Sequence, residues 1–302
     1  MSQLFLPKPP DFSFTECLWF LNRNYDDCLH IVQDKQVSRA IVAGGKVVVL
    51  TVTESEGSLV IDTGESDPDG NDTATILRYV REWFDLNRDI SPFYRQLSVH
   101  PVLDYMAEDF KGLRVMNIPD VFEALVWSII GQQINLTFAF KLKRAMVEKY
   151  GTAVAFGGGL IHAFPEPDIL AALTPDELRE MQFSRQKAAY VINAAAAFRD
   201  GVLSKESLWN LPTEEKIAAL TALKGVGRWT ANYVVMKSLN DTTGVPHGDV
   251  GLLKALEDHQ LINSRKNEPA IAAVFGSFPG WESYLVHYLW RSLAIPVIPT
   301  NS

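Results

Sequence analysis

The chain has 302 residues, 47% of them hydrophobic and 21% charged, with a formal net charge of −8. That length can bury a substantial core and suggests about two domains, and no apolar run approaches the roughly 20 residues of a membrane span. The two cysteines, Cys17 and Cys28, are too few for a disulfide framework or a four-cysteine zinc or iron–sulfur site.

The first residues, Met1-Ser2-Gln3 and then Pro7, Pro9 and Pro10, lack a basic-then-apolar signal pattern, so a cytoplasmic protein is expected. The acidity is uneven: residues 1–95 hold 9 Lys+Arg against 15 Asp+Glu, a balance of −6, which leaves −2 for residues 96–302. Without a broad basic face, any nucleic-acid binding must rest on local backbone donors.

From Cys28 to Gly64, β-branched runs alternate with turn signals at Gly44-Gly45 and Ser55-Glu56-Gly57, which predicts a small antiparallel sheet with hairpins. A polar stretch over 65–71 leads to a helix over 73–84, with Ile76, Tyr79, Val80 and Trp83 at helical spacing. Beyond about Ser91 the pattern is almost wholly helical. Helices are predicted over 121–130, 137–150, 186–198, 213–220, 228–239, 249–259, 268–275 and 281–293, with a capping box at Thr174-Pro175-Asp176-Glu177. The expected fold class is α+β: an N-terminal α/β domain over 1–90 and a mainly helical body over 91–302.

Leu223-Lys224-Gly225-Val226-Gly227-Arg228-Trp229-Thr230 places two glycines between two amphipathic helices. Glycine permits a sharp turn and a close approach, and the N–H groups opening the next helix can converge on an anion such as a phosphate. The same pattern alone equally describes an unliganded helix corner.

Its context is more informative, because Ala231-Asn232-Tyr233-Val234-Val235 follows, and then a loop ending Pro246-His247-Gly248-Asp249. These residues resemble the helix-hairpin-helix, Gly/Pro-rich loop, aspartate superfamily of DNA glycosylases, and Trp229 after Arg228 resembles its DNA-3-methyladenine glycosylase II (AlkA) type. The similarity extends through Leu18-Trp19-Phe20-Leu21, Ile129-Ile130-Gly131-Gln132-Gln133, and Trp281-Glu282-Ser283-Tyr284 with His287-Tyr288-Leu289-Trp290, and so covers nearly the whole chain.

The resemblance implies roles for particular residues. Asp249 is the catalytic candidate, a carboxylate that stabilises positive charge developing on deoxyribose and orients water; its plain alternative is a helix N-cap, and both can hold. Trp229, Tyr233, Phe20 and Trp290 would wall a base pocket whose rings favour cationic guests, against the alternative that they are core aromatics. Trp281, Tyr284 and Tyr288 are expected in the core. Gly225, Gly227 and Thr230 would bind DNA at the hairpin. Gln132 and Gln133 lie in the family's wedge loop, with a plain solvated turn as the alternative.

Members that also cut the DNA backbone carry a lysine where this chain has Trp229, and the hairpin helix has no other lysine before Lys237. A monofunctional, base-releasing hydrolase for alkylated bases of the 3-methyladenine and 7-methylguanine type is therefore expected. Its alternatives are a bifunctional oxidised-purine glycosylase/lyase and a non-catalytic helix-hairpin-helix DNA-binding protein. The expected partner is double-stranded DNA with damaged bases, bound by a monomer with no membrane association.

No cofactor is expected to be required and no iron–sulfur cluster is expected. The resemblance implies a structural Na+ or K+ on the backbone carbonyls of Thr221, Leu223 and Val226. His247, beside the aspartate, is read as structural or phosphate-facing rather than as a proton donor. Val250 and Gly251 replace the family's aromatic and leucine, which suggests a roomier pocket.

Overall fold

The computed structural model describes residues 3–23, 27–64 and 68–293; positions 65–67 of the polar stretch fall outside these. Strand β1 (Gln3–Pro7) and helix α1 (Phe14–Leu21) precede β2 (His30–Gln33), β3 (Gln36–Ala43), β4 (Lys46–Ser55) and β5 (Ser58–Asp62). The five strands form one antiparallel sheet in the order β1-β5-β4-β3-β2. The pairings Ala43↔Lys46 and Ser55↔Ser58 leave two-residue loops, and Gly44 and Gly45, at φ 57° and 73°, supply the left-handed backbone of such a tight hairpin. Strand β1, unmarked in the sequence by any alternating run, pairs along β5.

Helices α2 (Gly70–Trp83), α3 (Ser91–Leu97) and α4 (Met106–Asp109) follow, and α2 buries Ile76, Val80 and Trp83 as their spacing predicts. Next come α5 (Val121–Gly131) and α6 (Leu136–Tyr150). A hairpin of β6 (Thr152–Phe156) and β7 (Gly159–Ala163) then interrupts the helical pattern expected for this half of the chain. It turns on Gly157-Gly158 and packs Ile161 and Ala163 with Ala40, Val47 and Val49 of the N-terminal sheet. The rest is helical: α7 (Pro167–Ala171), α8 (Pro175–Arg179), α9 (Arg185–Arg199), α10 (Lys205–Trp209), α11 (Thr213–Thr221), α12 (Arg228–Ser238), α13 (Val250–Asp258), α14 (Glu268–Gly276) and α15 (Glu282–Ser292).

Two main cores form, and they do not follow the chain in order. The inner face of the sheet, with Val48, Leu50 and Val52 of β4, shares a core with residues from α1–α4 and from α13–α15, including the buried Tyr284 and Tyr288. The second core draws on α5–α12. The C-terminal helices therefore return to the N-terminal sheet, leaving a cleft between the two cores.

Charged and polar contacts lock the junction. The Arg39 guanidinium on β3 meets the Glu123 carboxylate on α5 at 2.5 Å, both side chains being buried. The Ile118 N–H donates to the Lys237 carbonyl at 2.7 Å, and the Lys237 ammonium turns back onto the Met116 carbonyl. Lys237 is 4% exposed. Burial, reinforced by the nearby positive charge of Arg23, holds its amine down at about 7.

Removing one member of a buried ion pair strands the other charge. Glu123→Ala should therefore destabilise the protein by about 3–5 kcal/mol in denaturant titration, whereas Glu123→Leu combined with Arg39→Met should recover most of that loss. Lys237 has the opposite signature. Its pKa is lower folded than unfolded, so the unfolded chain binds more protons between about 7 and the ordinary lysine value, and stability should rise with pH across that window. Lys237→Met should stabilise the protein at pH 7 by roughly 2–4 kcal/mol, and the gain should vanish by about pH 10.5, as read from unfolding curves at each pH.

Candidate active site

The turn between α11 and α12 is held by Leu223 N–H to the Leu220 carbonyl and Val226 N–H to the Leu223 carbonyl, each at 3.1 Å, and by Val226 buried in the second core. Gly225 has φ 94°, and a Cβ there would sit 2.2 Å from the Tyr190 ring, so only glycine fits. Gly227 is exposed and N-caps α12 in extended conformation, without a side chain to satisfy the first N–H groups of the helix. With Gly227 and Arg228 exposed, such uncapped donors are suited to an anion. Thr230 is 1% exposed, so its hydroxyl is directed into the protein, and an outward contact from it would fall to its backbone N–H. The Thr221 and Val226 carbonyls accept no backbone N–H among the described residues. The Leu223 carbonyl accepts the Val226 N–H, and all three are uncharged oxygens of the kind an alkali cation takes.

Gln132 occupies the break between α5 and α6, where its amide nitrogen donates to the Gly225 carbonyl at 3.0 Å and to the Thr230 hydroxyl at 2.9 Å. The two candidate DNA-contacting loops are thus cross-linked by one side chain. Gln133, next in sequence, is exposed and in the left-handed region at φ 56°, before Asn135 caps α6. Gln133 also lines the cleft.

The loop from α12 to α13 is pinned at several points. Asn232 accepts from Val245 N–H at 3.3 Å, and Ser283 on α15 donates its hydroxyl to the Gly244 carbonyl at 2.8 Å. Gly248, at φ 84°, makes the last turn, and Asp249 N–H donates to the Pro246 carbonyl at 3.0 Å. Asp249 does cap α13: Oδ1 accepts the Leu252 N–H at 2.8 Å. The same Oδ1 accepts the indole N–H of Trp290 at 3.0 Å, whereas Oδ2 accepts no hydrogen bond among the described residues. Capping therefore orients the carboxylate without consuming its second oxygen.

Trp229 and Tyr233, one turn apart on α12, stack at 5.8 Å and 25°, and Tyr233 lies 6.3 Å from Trp290. All three rings are partly exposed and line the same cleft as Asp249, about 1420 Å³ in volume. Burial holds the Tyr233 phenol well above the usual tyrosine range, with its oxygen accepting the Trp127 indole N–H at 3.0 Å. Phe20 also lines the cleft, but its ring is 6% exposed, with the Arg23 guanidinium 3.5 Å above it and the His287 ring 4.0 Å away. It is a covered wall rather than an open stacking face.

Gly251 lies against the aspartate and the indole. A Cβ at Gly251 would come within 3.2 Å of Asp249 Oδ1 and 3.6 Å of the Trp290 indole, so the missing side chain admits the Trp290–Asp249 contact. Val250, 69% exposed, stands at the rim. His247 is exposed, edge-on to Phe275 at 6.2 Å, and partial burial lowers its pKa. Among the cleft residues that escaped the sequence reading are Arg23 and Trp127, and Lys237, named there only as a distant lysine, is turned inward. Of these only Trp127 carried a signal, an indole within an otherwise apolar helix.

Two family models match adjoining stretches of the chain, meeting inside α5. One, described as 8-oxoguanine DNA glycosylase, N-terminal domain, matches residues 23–125. The other, described as HhH-GPD superfamily base excision DNA repair protein, matches residues 126–277. The chain is 34% identical over 288 residues to a DNA-3-methyladenine glycosylase of Bacillus subtilis (strain 168), covering 94% of this chain and 95% of that protein. In fold it is similar to a 3-methyladenine DNA-glycosylase from Archaeoglobus fulgidus, with a TM-score of 0.82 at 24% identity over 95% of this chain and 97% of that one. It is also similar to an 8-oxoguanine glycosylase/lyase from Clostridium acetobutylicum, with a TM-score of 0.73 at 21% identity over 96% of each. A hairpin gripped by glycines, an aspartate with one oxygen anchored and one open, and sequence similarity along nearly the full length lead to one assignment: the chain belongs to the HhH-GPD superfamily of base excision DNA repair proteins.

Proposed function

We propose that this protein is a monofunctional DNA glycosylase that hydrolyses the N-glycosidic bond of alkylated bases of the 3-methyladenine and 7-methylguanine type. The observation that carries the reading is Asp249, whose Oδ1 is anchored by Leu252 and Trp290 and whose Oδ2 is left for the cleft walled by Trp229, Tyr233 and Trp290. The 34%-identical relative bears the name DNA-3-methyladenine glycosylase, which supports the same substrate class.

In this reading the N–H groups opening α12 at Gly227 take a phosphate of the duplex, and Gln133 fills the gap left by an extruded nucleotide. The carbonyls of Thr221, Leu223 and Val226 would hold Na+ or K+, which would supply positive charge beside that phosphate. The damaged base enters the aromatic slot, whose electron-rich faces favour a ring made cationic by alkylation. As the glycosidic bond breaks, charge builds on deoxyribose, and the fixed carboxylate stabilises it and orients water toward C1′. A lyase would need an amine at that carbon. Trp229 stands at the family's lysine position, and Lys237, two turns further on, is turned onto the Met116 carbonyl. A monomer suffices, because every group invoked comes from one chain.

Incubation with methylated duplex should release free base, with strand breaks appearing only after alkali; breaks before alkali would instead support the lyase. Asp249→Asn should fold and bind abasic-site DNA yet lose at least about 100-fold in single-turnover excision, and excision near the parent rate would remove Asp249 from the chemistry. Gln133→Ala should weaken binding to lesion duplex more than to the same lesion in single strands, as measured by titration of both; equal losses would exclude the wedge role.

A further inference from the structure

The hydroxyl of Tyr233 accepts one hydrogen bond and still has its own hydrogen to give. Trp127, on α5, donates its indole N–H to the Tyr233 oxygen at 3.0 Å. An indole nitrogen only donates, so the phenol oxygen must be the acceptor in this pair. Among the described residues no group accepts the phenol hydrogen. Conjugation keeps a phenol O–H near the plane of its ring, with one direction on each side of the oxygen. The indole occupies one side and confines the hydrogen to the other.

Trp127 is itself held in place. Its ring meets Phe140 at 4.6 Å, and the Lys143 ammonium, paired with Asp27 at 2.7 Å, lies 5.1 Å from its centre. Trp127 and Tyr233 both line the cleft, together with Asp249 and Trp290. Burial, with the Asp249 and Asp27 carboxylates nearby, keeps the phenol protonated.

Stacking alone recognises a flat cationic base without selecting any edge of it. A fixed O–H adds direction. When the C1′–N9 bond of an alkylated purine breaks, its electron pair passes into the ring and cancels the positive charge. The lone pairs on the other ring nitrogens and the exocyclic oxygen then become better acceptors. A donor meeting one of them is bonded more strongly in the transition state than in the bound substrate.

We propose that Tyr233 is a catalytic residue that donates its hydroxyl hydrogen to the edge of the departing purine, and that Trp127 is the positioning residue that directs this hydrogen into the cleft. The inference rests on the glycosylase reading above. The base leaves neutral, water adds to C1′ and loses its proton to solvent, and Tyr233 keeps its own proton throughout.

The test measures single-turnover release of 7-methylguanine from duplex DNA by the full-length protein and by its Tyr233→Phe, Trp127→Phe and doubly substituted variants. Tyr233→Phe keeps the stacking ring, removes the donor, and should slow release by about 5- to 10-fold. Trp127→Phe leaves the phenol free to rotate and should slow release by about 2- to 5-fold, yet in the Tyr233→Phe background it should slow it no further. Abasic-site duplex has no base to meet the hydroxyl, so its binding should be equal in all four proteins. Release by Tyr233→Phe at the parent rate would overturn the proposal, as would losses of abasic-site binding that parallel the losses in release. An equal loss from Trp127→Phe in both backgrounds would reduce Trp127 to packing and overturn its positioning role. No release by the wild type would remove the glycosylase reading itself, and this inference with it. Tyr233→Phe leaves the indole N–H unpaired; melting curves read that effect separately, and the double variant removes it.

Discussion

One carboxylate oxygen, Oδ1 of Asp249, receives two N–H groups from elements far apart in sequence: the first turn of α13 and the indole of α15. Hydrogen bonds to a charged acceptor are among the stronger ones in proteins, and two of them on one atom fix both the position and the plane of the carboxylate. Much of the surrounding architecture keeps that geometry in place. Asn232 and Ser283 clamp the preceding loop, Gly248 turns it, and the absence of a side chain at Gly251 lets the indole approach. Preorganisation of this kind matters because a carboxylate that had to reorient as charge developed would forfeit much of its stabilising effect.

Such an arrangement requires α15, near the end of the chain, to lie beside the hairpin helix. The two-core layout provides this. The last three helices share the core of the N-terminal sheet, while α12 belongs mostly to the other core, so Asp249 and the slot lie along the seam. The polar contacts that cross the seam, Arg39 with Glu123 and Lys237 with Met116, join its two sides.

The features legible in the sequence were those encoded locally. Gly225 and Gly227 announced a tight corner between helices, and Asp249 announced a cap, because turn geometry and capping are decided within a few residues. The strands from Cys28 to Gly64 were legible through their alternation and two-residue turns. Strand β1 was not, since five residues ending in proline pair only because β5 offers an edge. The β6–β7 hairpin did carry a signal, Gly157-Gly158-Gly159 between two apolar pentapeptides, but the helices on either side masked it. Within the site, Trp290 could be named as a wall but not as a donor to Asp249, and Arg23 could not be placed at all. Both depend on contacts between residues on different elements, 41 positions apart for Trp290 and Asp249, and no periodicity reports such contacts. The contact of Gly251 with Trp290 was hidden for the same reason, because the indole comes from α15.

An acidic chain must find DNA without the long-range attraction that a basic face would provide, and the Gln132 bridge bears on how it does so. One amide ties the hairpin to the loop that carries Gln133, so the two are held at a fixed separation. On the proposed reading, a phosphate taken at the hairpin would fix which base pair Gln133 meets.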